Sequence, residues 1–298
     1  MTRLLLTGAG GQVGWELARC LLPLGEVLVP PRAEFDLSRP DQCAGFIARV
    51  RPDVVVNPAA YTAVDKAEAE PELALCINGD APAAMARAAQ GVGALFIHYS
   101  TDYVFDGTKA APYVEDDEPR PRSTYGRSKL AGEEGVRASG ADYLILRTSW
   151  VYAARGHNFL RTMLRLAAER DELRVVADQI GAPTWARLIA DATAHALRES
   201  QRLRSAGRFE SGLYHLTAQG ETSWHGFASR IVELARGMSL PVKARGVAPI
   251  ATADYPLPAP RPANSRMDGT RFMTRFGLEL PSWERCLELA MQEVTRVG

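Results

Sequence analysis

The opening residues constrain this chain more than any other stretch. Arg3-Leu4-Leu5-Leu6 is a short apolar run that flows directly into Thr7-Gly8-Ala9-Gly10-Gly11-Gln12-Val13-Gly14. Trp15, Leu17, Ala18, Leu21 and Leu22 then follow in a helical pattern. The order is strand, glycine turn, helix. Glycines at 8, 11 and 14 permit a tight turn, let a pyrophosphate approach the backbone and let the helix pack close to the strand. The N–H groups at the helix start, those of Gln12 and Val13 among them, face the phosphates in such a turn. Gly8, Gly11, Gln12, Val13 and Gly14 are therefore the expected dinucleotide cradle.

The rest of the first half repeats the alternation. Strands are expected at 3–6, 26–29, 53–57, 94–99 and 143–147, and helices at 12–22, 40–49, 72–90 and 123–138. That pattern predicts an α/β protein with a Rossmann-type doubly wound parallel sheet. Beyond 150 the pattern is mixed, with helices expected near 158–169, 184–198, 223–236 and 283–294 and short strands near 173–176 and 213–216. Ala248 to Pro262 is proline-rich and reads as an irregular loop. The expected organisation is a dinucleotide-binding domain over 1–150 and a smaller mixed substrate-binding domain over 151–298, with interleaving allowed.

Two further segments carry chemistry. Ser100-Thr101-Asp102-Tyr103-Val104-Phe105 follows Ala94-Leu95-Phe96-Ile97-His98, which reads as a buried parallel strand. Ligands bind beyond the carboxyl ends of such strands, so the Thr101 hydroxyl is placed to donate to a substrate carbonyl. Tyr125 and Lys129 are four residues apart, which puts phenol and ammonium on one helix face. A nearby cation favours phenolate, so Lys129 is expected to lower the Tyr125 pKa and make the phenol a proton donor near neutral pH.

These three motifs, in this order, resemble the extended short-chain dehydrogenase/reductases. Within them the chain is similar, almost end to end, to the dTDP-4-dehydrorhamnose reductase family. The resemblance also rests on Val56 to Glu68, Arg147-Thr148-Ser149-Trp150-Val151-Tyr152, Asp178 to Thr184 and Arg261-Pro262-Ala263-Asn264-Ser265. Pro58 departs from the family's usual alanine and is expected to end the strand. The resemblance implies an enzyme that reduces the 4-keto group of a dTDP-sugar, with Thr101, Tyr125 and Lys129 catalytic and Lys129 also holding the nicotinamide ribose. It adds Ala59, Ala60 and Tyr61 to the cofactor site and places Asp36, beside Leu37, against the adenine. For the sugar nucleotide it implies Thr101, Asp102, Tyr103, Trp150, Asn158, Arg261 and Asn264. Trp150 could wall off the sugar or pack in the core, and Tyr103 could contact the sugar or point inward. Relatives hold magnesium with glutamates at a dimer interface. Glu16 and Glu293 match two such positions, but Arg187 stands at the third, which argues against a metal site of that design. A homodimer is the assembly that fits the resemblance.

Cofactor choice turns on the end of the second strand. Val29-Pro30-Pro31-Arg32 offers no acid for ribose hydroxyls, and Arg32 could pair with a 2′-phosphate or simply be solvated. NADPH is the expected cofactor, with NADH tolerated.

Bulk properties exclude other classes. With 35 Lys+Arg against 35 Asp+Glu, nothing points to nucleic acid or an anionic membrane surface. No apolar run approaches the ~20 residues of a membrane span, and the amino terminus reads as a strand rather than a signal peptide. Cys20, Cys43, Cys76 and Cys286 lack paired spacing, so a reduced, cytoplasmic chain is expected. His98, His157, His195, His215 and His225 show no metal-ligand spacing. Two rival functions stand beside the reductase. One is a non-catalytic dinucleotide-binding subunit, like the regulatory subunits of methionine adenosyltransferase, against which Thr101, Tyr125 and Lys129 together weigh. The other is an epimerase or dehydratase with tightly held NAD, although Tyr103 occupies the place of the dehydratase glutamate.

Overall fold

The structure is a computed structural model and describes residues 1–297. Its centre is a six-stranded parallel sheet. β1 (Arg3–Leu6), β2 (Glu26–Leu28), β3 (Val54–Asn57), β4 (Leu95–Thr101) and β5 (Tyr143–Thr148) are joined by a sixth strand, Gly212–His215. The spatial order is Gly212–His215, β5, β4, β3, β1, β2. The switch in strand order lies between β1 and β3, and the sheet's carboxyl ends open there.

The strands form because both faces are covered. Leu4, Leu5 and Leu6 are fully buried, as are Val54, Val55 and Val56. Alternation then splits them between two cores. Leu4, Leu6, Ile97 and Leu146 pack with Leu17 of α1 (Gln12–Cys20) and with Ile189 and Ala196 of the helix Ala186–Ser205. Leu5, Val55, Phe96 and Ile145 pack with Ile47 of α2 (Pro40–Val50) and with Met85 and Ala89 of the helix Ala81–Val92. A third core joins Tyr152, Trp185, Phe227, Trp283 and Leu287 in the later lobe. The expected division near 150 is crossed twice, since Gly212–His215 completes the sheet and Ala186–Ser205 covers α1.

Two elements differ from expectation. The helix expected over 72–90 runs from Pro71 to Val92 but passes through a π turn at Cys76–Asp80. That turn presents the Asn78 side chain, whose Oδ1 accepts from Tyr61 N at 2.8 Å and whose Nδ2 donates to Tyr61 O and to Ser128 Oγ. The expected loop from Ala248 begins inside a strand, Val247–Ile250, paired in parallel with Leu173–Val176. Pro249 is tolerated because this two-stranded sheet asks no donor of it on its open side. Short helices at Val64–Ala67 and Thr270–Phe276 were too brief to show a period.

Candidate active site

The switch point opens into a cavity of about 810 Å³. One wall is the glycine turn. Gly8 has φ +57, and a Cβ there would sit 2.9 Å from Ala59; a Cβ on Gly14 would collide with the Gly8 carbonyl oxygen. Gly11 is the N-cap of α1 and supplies no side-chain cap, so the amides of the first turn face the cavity. This cradle fits a diphosphate.

The opposite wall carries the candidate catalytic side chains. β4 is buried along its whole length and ends at Thr101, in register with Thr148 of β5. Thr101 Oγ1 donates to Asp102 Oδ1 at 3.0 Å and accepts from Tyr103 N at 3.2 Å, which fixes its rotamer. The helix Thr124–Arg137 starts at Ser123, whose hydroxyl accepts from Gly126 N at 3.0 Å. It carries Tyr125 and Lys129 into the cavity beside Thr101. Tyr103 meets Tyr125 edge to face at 5.5 Å.

Electrostatics correct one expectation. Burial pushes the Tyr125 phenol pKa up, Thr101 hydrogen bonding opposes this, and the Asp102 charge adds to it. Lys129 does not hold the phenol low. Its Nζ donates to the Tyr99 carbonyl at 2.6 Å, and burial lowers its own pKa to about 8, against which Glu133 acts. Burial likewise raises Asp102 to about 6.

Gly8, Gly11, Gln12, Val13, Gly14, Ala59, Ala60, Thr101, Asp102, Tyr103, Tyr125, Lys129 and Trp150 all line the cavity. Seven expected residues do not. Arg32 is exposed, Leu37 packs on the core, and the Asp36 carboxylate accepts from Ser38 N and Oγ to close its own turn. The Tyr61 hydroxyl donates to Glu70. Asn158 caps the helix Phe159–Glu169 by accepting from Arg161 N, and it donates to Ala153 O and Arg155 O. Asn264 donates to Lys109 O and Ala111 O, bracing two loops. Arg261 pairs with Asp65 at 2.7 Å and lies 6.0 Å over the Tyr103 ring, one layer behind the lining. Asp36, Asn158 and Asn264 turn away because nearby backbone groups take their hydrogen bonds, and Tyr61 and Arg261 because carboxylates do.

Lining residues that sequence reasoning passed over include Ser100, Ser149 and a pair across the mouth. The Arg155 guanidinium lies 3.2 Å over the Trp15 ring, and Arg19 lies 3.4 Å from the same ring centroid. Nothing in the local pattern joins residues so far apart in the chain.

Away from the cavity, Arg187 stands 3.5 Å from Glu293 and 3.6 Å from Asp191. Burial, then the Glu293 charge, raises the Glu16 pKa. A guanidinium thus occupies this carboxylate cluster, and among the described residues no group of three His, Cys, Asp or Glu is arranged to hold a metal. All four cysteines are free, and burial pushes Cys20, Cys43 and Cys286 up to about 12.

A parallel sheet with a glycine cradle, facing a Thr–Tyr–Lys set at the switch point, defines an extended short-chain dehydrogenase/reductase. Comparison with known proteins narrows this. A family model described as the RmlD substrate binding domain matches residues 1–296. A dTDP-4-dehydrorhamnose reductase of Burkholderia thailandensis is 54% identical over 98% of this chain and 99% of its own, and that of Escherichia coli K12 is 46% identical over 98% and 97%. The solved dTDP-4-dehydrorhamnose reductase of Bacillus anthracis, in complex with NADP, is 36% identical with a TM-score of 0.87, covering 98% of this chain and 100% of that one. The chain belongs to the dTDP-4-dehydrorhamnose reductase family.

Proposed function

We propose that this chain reduces the 4-keto group of dTDP-4-dehydro-L-rhamnose to give dTDP-L-rhamnose, with NADPH as the preferred cofactor and NADH tolerated. One observation carries the reading: Thr101, Tyr125 and Lys129 share a cavity with the glycine cradle. NADPH, when bound, supplies the hydride. Gly8 to Gly14 would hold its diphosphate, and Lys129 would hold its nicotinamide ribose. With substrate bound, the Thr101 hydroxyl would turn its proton from Asp102 to the ketone oxygen, stabilising the charge that grows there. Tyr125 gives that oxygen its proton. The raised phenol pKa is compatible with this role, because it keeps Tyr125 protonated at neutral pH, the form that donates, and the alkoxide formed by hydride addition is basic enough to take the proton. Asp102, Tyr103 and Trp150 wall the sugar. Arg261 braces Tyr103 from behind.

Zero net charge supports the absence of a nucleic-acid partner, and four free thiols, two of them buried, support a cytoplasmic setting. No helix among the described residues is long and apolar enough to cross a membrane. A homodimer is the assembly proposed. The purified chain is to be incubated with the keto-rhamnose nucleotide and NADPH, then with NADH, and the product sugar identified. Cofactor oxidation with dTDP-L-rhamnose formed supports the reading. Cofactor binding without turnover would favour a regulatory subunit, and tightly bound NAD with an epimerised product would favour an epimerase. An unchanged NADPH-to-NADH ratio in Arg32→Ala would remove Arg32 from cofactor choice.

A further inference from the structure

Tyr125, Lys129 and Glu133 recur every fourth residue, so all three lie along one face of the helix Thr124–Arg137. Glu133 has no part in the chemistry above, yet its side chain is only 1% exposed. Its two oxygens accept from Arg147 of β5, Oε1 from Nε at 2.8 Å and Oε2 from Nη2 at 2.6 Å. Arg147 is equally buried, lies 4.9 Å over the Phe105 ring, and leaves Nη1 without a partner. Two charges are thus sunk into the interior one helical turn beyond Lys129. Such a pair is a poor way to gain stability, because apolar residues of the same volume often do as well or better. Its position asks for another reason.

The surroundings of Lys129 supply one. On its own helix it has Tyr125 on one side and Glu133 on the other. β4 presents the Tyr99 carbonyl, which accepts from Nζ, and His98, which burial and the Lys129 charge keep neutral. β5 presents Arg147, whose charge is turned onto Glu133. The next strand presents His215 in register with Arg147, kept neutral by burial and by that guanidinium, its pKa near about 3. Asp102 and Tyr103 bear on Tyr125 and not on the ammonium. Glu133 is the carboxylate that favours the charged form of Lys129, while burial, the larger influence, opposes it.

We propose that Glu133, aimed by Arg147, is a positioning residue for the reaction: it keeps the buried Lys129 ammonium, held by the Tyr99 carbonyl at the cavity wall, charged at neutral pH. Arg147 fixes the carboxylate with a two-pronged grip and so fixes where its field falls. The inference rests on the role proposed for Lys129.

The test is Glu133→Gln, which keeps the shape and an acceptor for Arg147 but removes the charge. The pH profile of kcat and the ¹³Cε titration of Lys129 in labelled protein are both measured. The basic limb and the lysine titration should move down by about one unit, so the rate loss grows from less than about twofold at pH 6.5 to roughly tenfold at pH 8.5. Glu133→Asp, which retains the charge, should keep the limb near its wild-type place. If the single variant does not fold, Glu133→Gln with Arg147→Gln removes both buried charges, leaves a neutral hydrogen-bonded pair, and should show the same shift. A limb and titration that stay put while thermal stability falls would leave Glu133 a structural staple and overturn the proposal. Lys129→Met separates the two readings. If it turns over at the wild-type rate, the role of Lys129 falls and this inference with it. If it is inactive while the Glu133→Gln limb is unmoved, only this inference falls.

Discussion

Trp150 lies parallel to Trp224, with ring centroids 3.7 Å apart and planes 11° from each other. Trp150 holds φ +48, a left-handed value that a bulky residue rarely adopts. Gly181 lets the indole lie flat, since a Cβ there would be 2.7 Å from the Trp150 ring. Phe159 backs Trp224 at 4.6 Å. The strained backbone is thus over-determined by packing, as expected where a side chain must stand in one orientation at a site. Trp224→Ala removes the support but not the cavity wall itself. An aromatic pair contributes about 0.5–1.5 kcal/mol, so KM for the sugar nucleotide should rise roughly 2- to 10-fold with kcat little changed. The circular-dichroism couplet of two stacked indoles should vanish with it. An unchanged KM after loss of the couplet would show that Trp150 does not touch substrate.

Gly14 sits where α1 passes over the Gly8 carbonyl. Gly14→Ala inserts a methyl group against backbone, which cannot rotate away. Overpacking of this kind costs about 1–3 kcal/mol and shifts the turn that holds the diphosphate. Thermal unfolding should show the destabilisation, and NADPH fluorescence titration should show at least a tenfold weaker Kd. Retained NADPH affinity would mean that the helix start is not the diphosphate cradle.

The parts of this protein that were legible in its sequence are those whose physics is local. A glycine every third residue between an apolar strand and a helical pattern points to a phosphate cradle, and the buried run Leu95 to Thr101 places Thr101 at the carboxyl end of a central strand. Spacing alone put Tyr125 and Lys129 on one face. Their ionisation was not legible, because it is set by burial and by Tyr99, Asp102 and Glu133, which reach them only through the fold. Asn158, Arg261 and Asn264 misled for a related reason. A polar side chain in a loop serves a ligand or the loop itself, and sequence does not say which. The strand Gly212–His215 joins the first sheet from the second half of the chain, a long-range pairing that no short window contains.

Asn158 shows the consequence. Its carbonyl oxygen accepts from Arg161 N at 3.1 Å and its amide holds Ala153 O and Arg155 O. Asn158→Ala should therefore act on stability, by about 1–2 kcal/mol for the lost cap. Urea unfolding should register that loss while KM for the sugar nucleotide moves less than threefold. A large KM effect at intact stability would restore Asn158 to the substrate site.

Tyr125→Phe removes one hydroxyl from a buried ring whose edge-to-face contact with Tyr103 survives. Turnover should drop by roughly 10²–10⁴-fold, the usual worth of a general acid, while NADPH still binds. Burial raises the phenol pKa and lowers that of Lys129 to about 8, so the alkaline limb of the wild-type profile should follow the lysine and not the tyrosine. Near-full activity in Tyr125→Phe would place the proton donor elsewhere.

Asp102 offers a thermodynamic check that needs no substrate. It is 2% exposed, and Oδ1 accepts from the Thr101 hydroxyl. Burial raises its pKa from 3.8 to about 6, against opposing hydrogen bonds from Ser265, Thr101 and the backbone. The folded state therefore binds more protons than the unfolded chain between about pH 4 and pH 6, and stability falls as pH rises through that window. Below pH 4 the carboxyl is protonated in both states and the penalty is absent; above pH 6 it is complete. Asp102→Asn cannot ionise and escapes it. The variant loses hydrogen bonds whatever the pH, so the informative quantity is how its stability relative to wild type changes. That difference should move in the variant's favour by roughly 2 kcal/mol between pH 4.5 and pH 7.5, one pKa unit being worth about 1.4 kcal/mol. Paired urea titrations at the two pH values measure it. A difference that stays constant, or moves the other way, would mean that Asp102 ionises in the fold as readily as in the open chain, and that the wall beside Thr101 is wetter than its burial implies.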